Sequence, residues 1–379
     1  MFYKIPVILV AIIIAVICLD PILPFIIKQI LYSISSTIKE MIVFLLPLVI
    51  LSLLFKAAVM LSKNATKIIS VILILVCISN FTVTFLSHYV GVWVYNFDLS
   101  ILKPANLGEL VPLWIIEFPK LIANDKAMFI GIVLGLITSK FQPEKSLIIA
   151  KKLEIIINKI LSSFVYFMPL FIAGFVVKLQ HDEVIEFIVK DYTIIFILIA
   201  ITQLSYVMIA YFILSNLKIR NFLITIKNIL PAAISGFTSM SSAASMPLTI
   251  VGAENNAQNK DLARSVIPAT VNIHLIGDCF AIPILAFAIL KSFGMPEPSL
   301  LCYLTFAFYF VIAKFSVAAI PGGGIIVMLP ILETYLGFNG EMMSLITSLY
   351  ILFDPVITGT NVLGNGAFAK MIDNLLRKF

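Results

Sequence analysis

The stretch from residue 318 to residue 365 reads AAIPGGGIIVMLPILETYLGFNGEMMSLITSLYILFDPVITGTNVLGN, with a glycine-rich turn ahead of two apolar segments. The second segment carries four polar residues at i, i+4, i+7 and i+11, namely Asp354, Thr358, Asn361 and Asn365. On a helix with 3.6 residues per turn, this spacing places all four on one face. We therefore expect a helix with a single polar stripe.

The glycine-rich turn, Pro321-Gly322-Gly323-Gly324, interrupts an otherwise apolar run. Such a turn leaves backbone N–H and C=O groups without helical partners. At membrane depth this is tolerated only where those groups border a cavity or a ligand. The turn and the polar stripe are therefore predicted to line a site inside the protein.

Composition places the chain in the membrane. Of 379 residues, 61% are hydrophobic and only 12% are charged, which is typical of a polytopic all-α membrane protein rather than a soluble domain. At about 20 residues per crossing, one membrane domain of roughly eight spans fits this length. Lys and Arg are scattered among the loops, so we expect a lipid bilayer as partner and no nucleic acid.

Six apolar runs in the first 220 residues predict spans. They cover Ile5–Ile27, Met41–Val59, Ile68–Tyr95, Ala127–Ile137, Ile155–Val177 and Tyr192–Leu217, with an irregular interfacial segment at Asn96–Lys126. With a cytoplasmic N-terminus, the inner loops hold 17 Lys and Arg and the outer loops hold eight. This bias predicts that both termini are cytoplasmic.

The pattern changes in the remaining chain, 221–379. Two pieces read as re-entrant hairpins whose halves are too short to span: 221–254, with a Ser/Gly-rich tip, and 300–337, with the Pro-Gly-Gly-Gly tip. Each precedes a span, at 265–293 and 342–376. A hairpin followed by a span thus occurs twice, which is an internal repeat. In transporters built this way, the binding site lies where the two repeats meet.

These features resemble the dicarboxylate/amino acid:cation symporter family over nearly the full length. The serine-rich tip matches at Ser239–Pro247 and the second tip at Ile320–Gly324; in the last helix Asp354, Thr358, Asn361 and Gly364 fall on family positions. The resemblance implies eight transmembrane helices plus two re-entrant hairpins, a homotrimer, and a transport domain that moves like an elevator. It also implies that 221–379 forms the transport core, whereas 1–220 is mainly scaffold with its third span in the core. It further implies that Asp354 binds a substrate amino group and Asn361 a carboxylate.

Several positions depart from the family pattern. Ile357 stands where members with acidic substrates carry an arginine, and Met240 stands at the alternative arginine position. Asn365 and His274 each replace an aspartate that binds sodium, while Asn272 is kept. Since a buried carboxylate without a cationic partner is costly, binding of glutamate or aspartate by the usual contact is not expected.

Two further residues have alternative interpretations. His274 and Asp278 are i, i+4 on one predicted helical face, where a pair serves either as a proton relay or as a structural contact. Lys314, at the start of the second tip, would either replace a bound sodium ion or extend to the outer interface, and the second alternative is favoured.

The predicted substrate site comprises Ser241, Ser242, Ile320, Pro321, Gly322, Gly324, Asp354, Ile357, Thr358 and Asn361. The predicted cation or proton site comprises Asn272, His274, Asp278, Lys314 and Asn365. For Ser241, Ser242 and Asn361 the alternative is ordinary hydrogen bonding between helices, and for Asp354 a structural cap.

The sequence predicts a symporter in a bacterial-type inner membrane for a small amino acid or dicarboxylate, coupled to protons more readily than to sodium. An uncoupled facilitator or anion channel, and a family member that no longer transports, remain alternatives. No cofactor and no enzymatic activity are expected, because nothing in the sequence resembles a nucleophile–base pair, a Walker loop or a metal cluster.

Overall fold

The computed structural model describes residues 11–12, 14–16, 18–63, 67–97, 110–116, 118–119, 122, 124–181, 185–317 and 322–376. Regular secondary structure within these residues is α-helical. Its elements are α1 (Phe25–Lys63), α2 (Lys67–Tyr95), α3 (Asn124–Phe141), α4 (Pro143–His181), α5 (Ile185–Leu214), α6 (Ile219–Ser239), α7 (Ser242–Asn256), α8 (Lys260–Thr270), α9 (Ile276–Ser292), α10 (Leu300–Lys314), α11 (Gly323–Leu336) and α12 (Gly340–Leu376).

Long apolar helices indicate a multi-pass membrane protein. Four described segments are long and apolar enough to cross a bilayer: Val71–Tyr95, Lys190–Leu214, Ile219–Ser239 and Gly340–Leu375. Large apolar side chains such as Ile74 and Trp93 are more than half exposed on the surface of the protein, as expected for a surface in contact with lipid. The arrangement of eight spans and two hairpins stays a prediction.

The helices of the first half differ in length from the predicted spans. Helices α1 and α4 have 39 residues each, with Pro47 and Pro169 inside them, and extend well beyond the predicted runs. A 39-residue helix is about 58 Å long, which exceeds the thickness of a bilayer. Within these helices, Lys56 of α1 and Glu154 of α4 pair with each other at 2.5 Å.

The first predicted hairpin is the pair α6 and α7, which pack against each other and are joined at Met240 and Ser241. The expectation that both arms are too short to span is wrong for α6, because its 21 residues are long and apolar enough to cross a bilayer. Its Ser/Gly-rich end is helical up to Ser239, and the Thr238 hydroxyl donates to the carbonyl of Ile234 at 3.0 Å.

The second hairpin consists of α10 and α11, with 15 and 14 residues. At a rise of about 1.5 Å per residue, each is shorter than the hydrocarbon core of a bilayer. Residues 318–321 of the tip, including the predicted site residues Ile320 and Pro321, lie outside the described residues.

The predicted span 265–293 is two helices, α8 and α9, separated by the non-helical residues 271–275. The break is held from α2. The Asn80 side chain donates to the carbonyl of Ile273 at 2.7 Å and accepts from the N–H of Leu275 at 3.3 Å. Backbone groups freed by the break thus receive a polar partner inside the protein, which makes a continuous helix unnecessary.

Helix packing falls into two main groups. Helix α1 packs mainly against α3 and α4, whereas α9 is surrounded by α2, α5 and α12, and α12 also packs against α6 and α7. Both α2 and α5 therefore pack with the second half of the chain. The division into scaffold and core remains a prediction.

Helix α10 is fastened to α2 by hydroxyl groups. Tyr303 donates to the carbonyl of Thr84 at 2.6 Å, and its oxygen lies 2.8 Å from the hydroxyl of Ser87. All three side chains are fully buried. This arm of the hairpin therefore has a specific partner outside the hairpin.

Gly174 provides a test of the packing between α1 and α4. A Cβ at this position would collide with the carbonyl oxygen of Leu31, whereas one at Gly359 would have only ordinary contacts from 3.5 Å outward. We expect Gly174→Ala to lower the melting temperature in detergent, because overpacking costs about 1–3 kcal/mol. Gly359→Ala, the matched control, should leave it unchanged or higher because alanine favours helix. Equal melting temperatures for the two variants would contradict this close packing.

Candidate functional site

The polar stripe of α12 lies inside the protein. Asp354, Thr358, Asn361 and Asn365 are each at most 4% exposed. One oxygen of Asp354, Oδ2, accepts the backbone N–H of Gly322 at 2.9 Å, and the other accepts the Thr358 hydroxyl at 2.8 Å. The described end of the glycine-rich tip is therefore in direct contact with the stripe.

Gly322 has the conformation that this contact needs. It is the N-cap of α11 and has a φ of 71°, in the left-handed region that favours glycine. The free N–H groups and the dipole at the start of a helix both favour a nearby negative charge. The carboxylate of Asp354 supplies that charge to α11.

A second buried carboxylate, Asp278 on α9, lies at the centre of a larger network. Its Oδ1 accepts the Tyr350 hydroxyl at 2.7 Å, and its Oδ2 accepts the side-chain amide of Asn361 at 2.7 Å. The Lys314 ammonium lies 3.3 Å from Oδ1. Asp278 thus connects α9, α10 and α12.

Lys314 does not extend to the membrane surface. Its side chain is 0% exposed, and its ammonium lies 4.5 Å from the ring centroid of Phe310 as well as beside Asp278. The favoured interpretation of an interfacial lysine is therefore wrong. The carboxylate of Asp278 offers a better partner than a distant interface, and desolvation of an ammonium is tolerated only when it is paired.

Gly324, in the first turn of α11, makes room for this network. A Cβ there would overlap Oδ1 of Asp278 and the hydroxyl of Tyr350. Only glycine lets the backbone of α11 approach the buried carboxylate this closely. The third glycine of the tip is thus explained by packing against α9 and α12.

The side-chain amide of Asn361 is engaged at both ends. Its Oδ1 accepts the N–H of Gly277 at 2.8 Å while its Nδ2 donates to Asp278. Thr358 likewise donates to Asp354. The groups predicted to hold a substrate carboxylate already have partners within the chain, so a substrate would have to exchange with them.

His274 and Asp278 are not a pair in this structure. His274 lies in the non-helical break before α9, and its Nε2 is 2.9 Å from the Ser79 hydroxyl on α2. Since the helix begins only at Ile276, the two side chains do not share a helical face. The prediction of an i, i+4 contact is wrong, and Lys314 takes the place expected for His274.

Two predicted cation ligands, Asn272 and Asn365, each have a buried side-chain oxygen without a hydrogen-bond partner in the described part of the chain. The Nδ2 of Asn365 donates to the carbonyls of His274 and Asn361 at 3.1 and 2.9 Å. These oxygens are neutral, so they supply dipoles but no charge to a cation. The negative charge available nearby belongs to Asp278, which already has an ammonium partner.

The serine-rich tip is buried but is built from its own contacts. Ser241 is the N-cap of α7 and accepts the N–H of Ala244 at 3.2 Å, and Ser242 is 5% exposed. Helix α6 reaches α12 through close packing of Gly236 against Val362. The tip therefore belongs to the same interior as the stripe, and Ile357, predicted to replace an arginine, is fully buried there too.

Three residues of the network were not singled out by the sequence interpretation: Ser79, Asn80 and Tyr350. A signal for Asn80 exists, because Asn80, Thr84 and Ser87 recur at i, i+4 and i+7 in an apolar helix, as in the α12 stripe. All three are fully buried. Tyr350 lies one turn before Asp354, but a tyrosine in an apolar run gives no comparable signal.

Asn80 should be required for the break before α9. We expect Asn80→Ala to lower the melting temperature strongly, because it leaves two buried backbone groups without partners at a cost of about 1–3 kcal/mol each. Thr82→Ala is the matched control, since Thr82 is exposed and bonds only to its own helix. Thermal unfolding in detergent measures both, and equal stability would contradict the assigned role of Asn80.

Comparison with known proteins finds amino acid transporters and a symporter among the proteins similar to this chain. Excitatory amino acid transporter 1 of Mus musculus is 26% identical over 229 residues, which are 58% of this chain and 41% of that protein. The human protein of the same name is 27% identical over 210 residues, 54% of this chain and 38% of its own length. An uncharacterized symporter of Haemophilus influenzae is 29% identical over 155 residues, which are 40% of this chain and 35% of that protein.

The matched regions therefore span about two fifths of these relatives or less. The family match extends further, over residues 5–375. On that near-complete match, the chain belongs to the sodium:dicarboxylate symporter family.

Proposed function

We propose that this protein is a secondary active transporter that moves a small amino acid across a bacterial inner membrane. The observation that carries this proposal is the contact of a buried carboxylate, Asp354, with the tip of the α10–α11 hairpin at Gly322. An ionisable residue inside a membrane protein marks a functional site by default. The relatives named as excitatory amino acid transporters support an amino acid as the substrate class.

The charges of the site favour a substrate with an ammonium group. Among the residues that the structure describes, Asp354 receives the N–H of Gly322 and the hydroxyl of Thr358 but no positive charge. The positive charge of Lys314 is already matched by Asp278. The missing partner is therefore one positive charge beside Asp354, which the ammonium group of an amino acid supplies.

A dicarboxylate fits this site less well. It would bring two negative charges to a site with two carboxylates and one ammonium, while Ile357 leaves the family's arginine position without a charge. Burying an unpaired carboxylate costs several kcal/mol. The substrate carboxylate of an amino acid would instead exchange with Asp278 for Asn361 and use the N–H groups of the tip.

We infer an elevator-type mechanism in a homotrimer, with proton coupling in preference to sodium coupling. The separate packing of α1 with α3 and α4, away from α9, supports a division between a fixed and a moving part. The neutral oxygens of Asn272 and Asn365 support weak sodium binding. The two hairpins supply the gates on either side of the substrate.

Asp354→Asn should abolish uptake of the amino acid substrate by proteoliposomes. Losing the buried ion pair with the substrate removes about 3–5 kcal/mol, so affinity should fall at least about 100-fold. Binding is measured by thermal shift against the common amino acids, and transport by radiolabelled uptake. Asp191→Asn, a carboxylate away from the site, is the control.

Retained uptake by Asp354→Asn would contradict the proposed substrate site. Binding and uptake that depend on neither sodium nor a proton gradient would instead identify an uncoupled facilitator. If no amino acid binds to the folded wild-type protein, it is a family member that does not transport.

Ile357→Arg should move substrate preference toward glutamate and aspartate. Its side chain is fully buried within α12, one position before Thr358. A guanidinium there offers a bidentate partner for a second carboxylate, so the ratio of acidic to neutral substrate uptake should rise at least about tenfold. Ile357→Met fills the same volume without charge and should leave the ratio unchanged. An unchanged ratio in Ile357→Arg would count against the substrate position assigned to this part of α12.

A further inference from the structure

The matched family is described by sodium, yet one of the two buried carboxylates of the site, Asp278, already faces a cation. The side chains of Asp278 and Lys314 are 2% and 0% exposed, and Nζ of Lys314 lies 3.3 Å from Oδ1 of Asp278. The lysine comes from the last residue of α10, in the hairpin, and the aspartate from α9. A positive charge therefore bridges the hairpin and the core without any bound ion.

In the surroundings of Asp278, one negative charge faces one positive charge, the ammonium of Lys314. The other described contacts of Asp278 are neutral donors, the Tyr350 hydroxyl and the Asn361 amide. Within the described chain, the ammonium of Lys314 makes no hydrogen bond with good geometry, and its other close neighbour is the ring of Phe310. Adding a sodium ion beside Asp278 would place two positive charges against one carboxylate.

Oxygen atoms for a separate sodium site are present but uncharged. The side-chain oxygens of Asn272 and Asn365 are buried without partners in the part of the chain that the structure describes. Hard cations bind best where carboxylate oxygens join carbonyl oxygens. The residues present therefore do not fit a sodium ion that depends on Asp278.

We propose that Lys314 is a tethered cation that takes the place of a sodium ion in joining the hairpin to α9. Its ammonium neutralises Asp278 permanently, so the core closes around the carboxylate in the absence of sodium. The consequence for coupling rests on the proposed transport function: if the protein transports an amino acid, that transport does not depend on sodium. The claim about the ion pair concerns only the folded protein and does not depend on transport.

The proposal predicts that removing the ammonium creates a requirement for sodium. Lys314→Ala deletes the side chain beyond Cβ from a fully enclosed position and leaves space beside an unpaired carboxylate. A small cation can then enter and compensate Asp278. Lys314→Met removes the charge but fills most of that space, so it provides a matched control that sodium cannot rescue.

The test measures melting temperatures of the purified full-length protein in detergent, without substrate, in sodium chloride and in choline chloride of equal ionic strength. The wild type should melt at the same temperature in both salts. Lys314→Ala should melt lower in choline and rise by roughly 5 °C with saturating sodium. Lys314→Met should melt lower in both salts, and the double variant Asp278→Asn with Lys314→Met should be stable and indifferent to sodium.

Three results would overturn the proposal. The first is saturable stabilisation of the wild type by sodium relative to choline. The second is a folded Lys314→Ala protein whose melting temperature does not respond to sodium, and the third is a Lys314→Ala protein that folds in neither salt while the double variant folds. Folding of Lys314→Ala only in sodium would support it.

This assay does not involve substrate, so the two proposals can fail separately. If Lys314→Ala gains sodium dependence but no amino acid binds or moves, the transport function is wrong and the tethered cation stands. If amino acid uptake is found together with sodium stabilisation of the wild type, the transport function stands and the tethered cation is wrong.

Discussion

Burying a charged group in an apolar interior is costly unless it is paired or hydrogen-bonded, and the pair formed by Asp278 and Lys314 offsets this cost inside the protein. Much of the local structure follows from it. A side chain at Gly324 would overlap this carboxylate, and Tyr350 and Asn361 each donate a hydrogen bond to one of its two oxygens. The pair thereby brings α9, α10, α11 and α12 together at one place.

Sequence patterns predicted the general arrangement of this region. Composition indicated a membrane protein, and the spacing of Asp354, Thr358, Asn361 and Asn365 indicated a buried stripe, because apolar surroundings leave few alternatives for a polar stripe. Short apolar halves indicated two hairpins, but α6 is long and apolar enough to cross a bilayer, so the hairpin arrangement stays a prediction. These signals are local, since they depend on periodicity and on segment length.

The errors arose where long-range contacts override local pattern. The break before α9 depends on Asn80, which lies almost 200 residues earlier and supplies partners for backbone groups that a helix would otherwise satisfy. The position of Lys314 depends on how deeply the end of α10 lies in the protein, which hydropathy does not reveal. Helix α6 continues to Ser239, and its Gly236 packs closely against Val362 of α12. Residues 318–321, which complete the second tip, lie outside what the structure describes.

The hydroxyl contacts between Tyr303, Thr84 and Ser87 make the two arms of the second hairpin mechanically unequal. The α10 arm is tied to α2 near its start, whereas the start of α11 is held through Gly322 by the carboxylate of Asp354. Under the proposed transport function, an arriving ammonium group would compete for that carboxylate and loosen α11, while the hydroxyl contacts keep α10 in place.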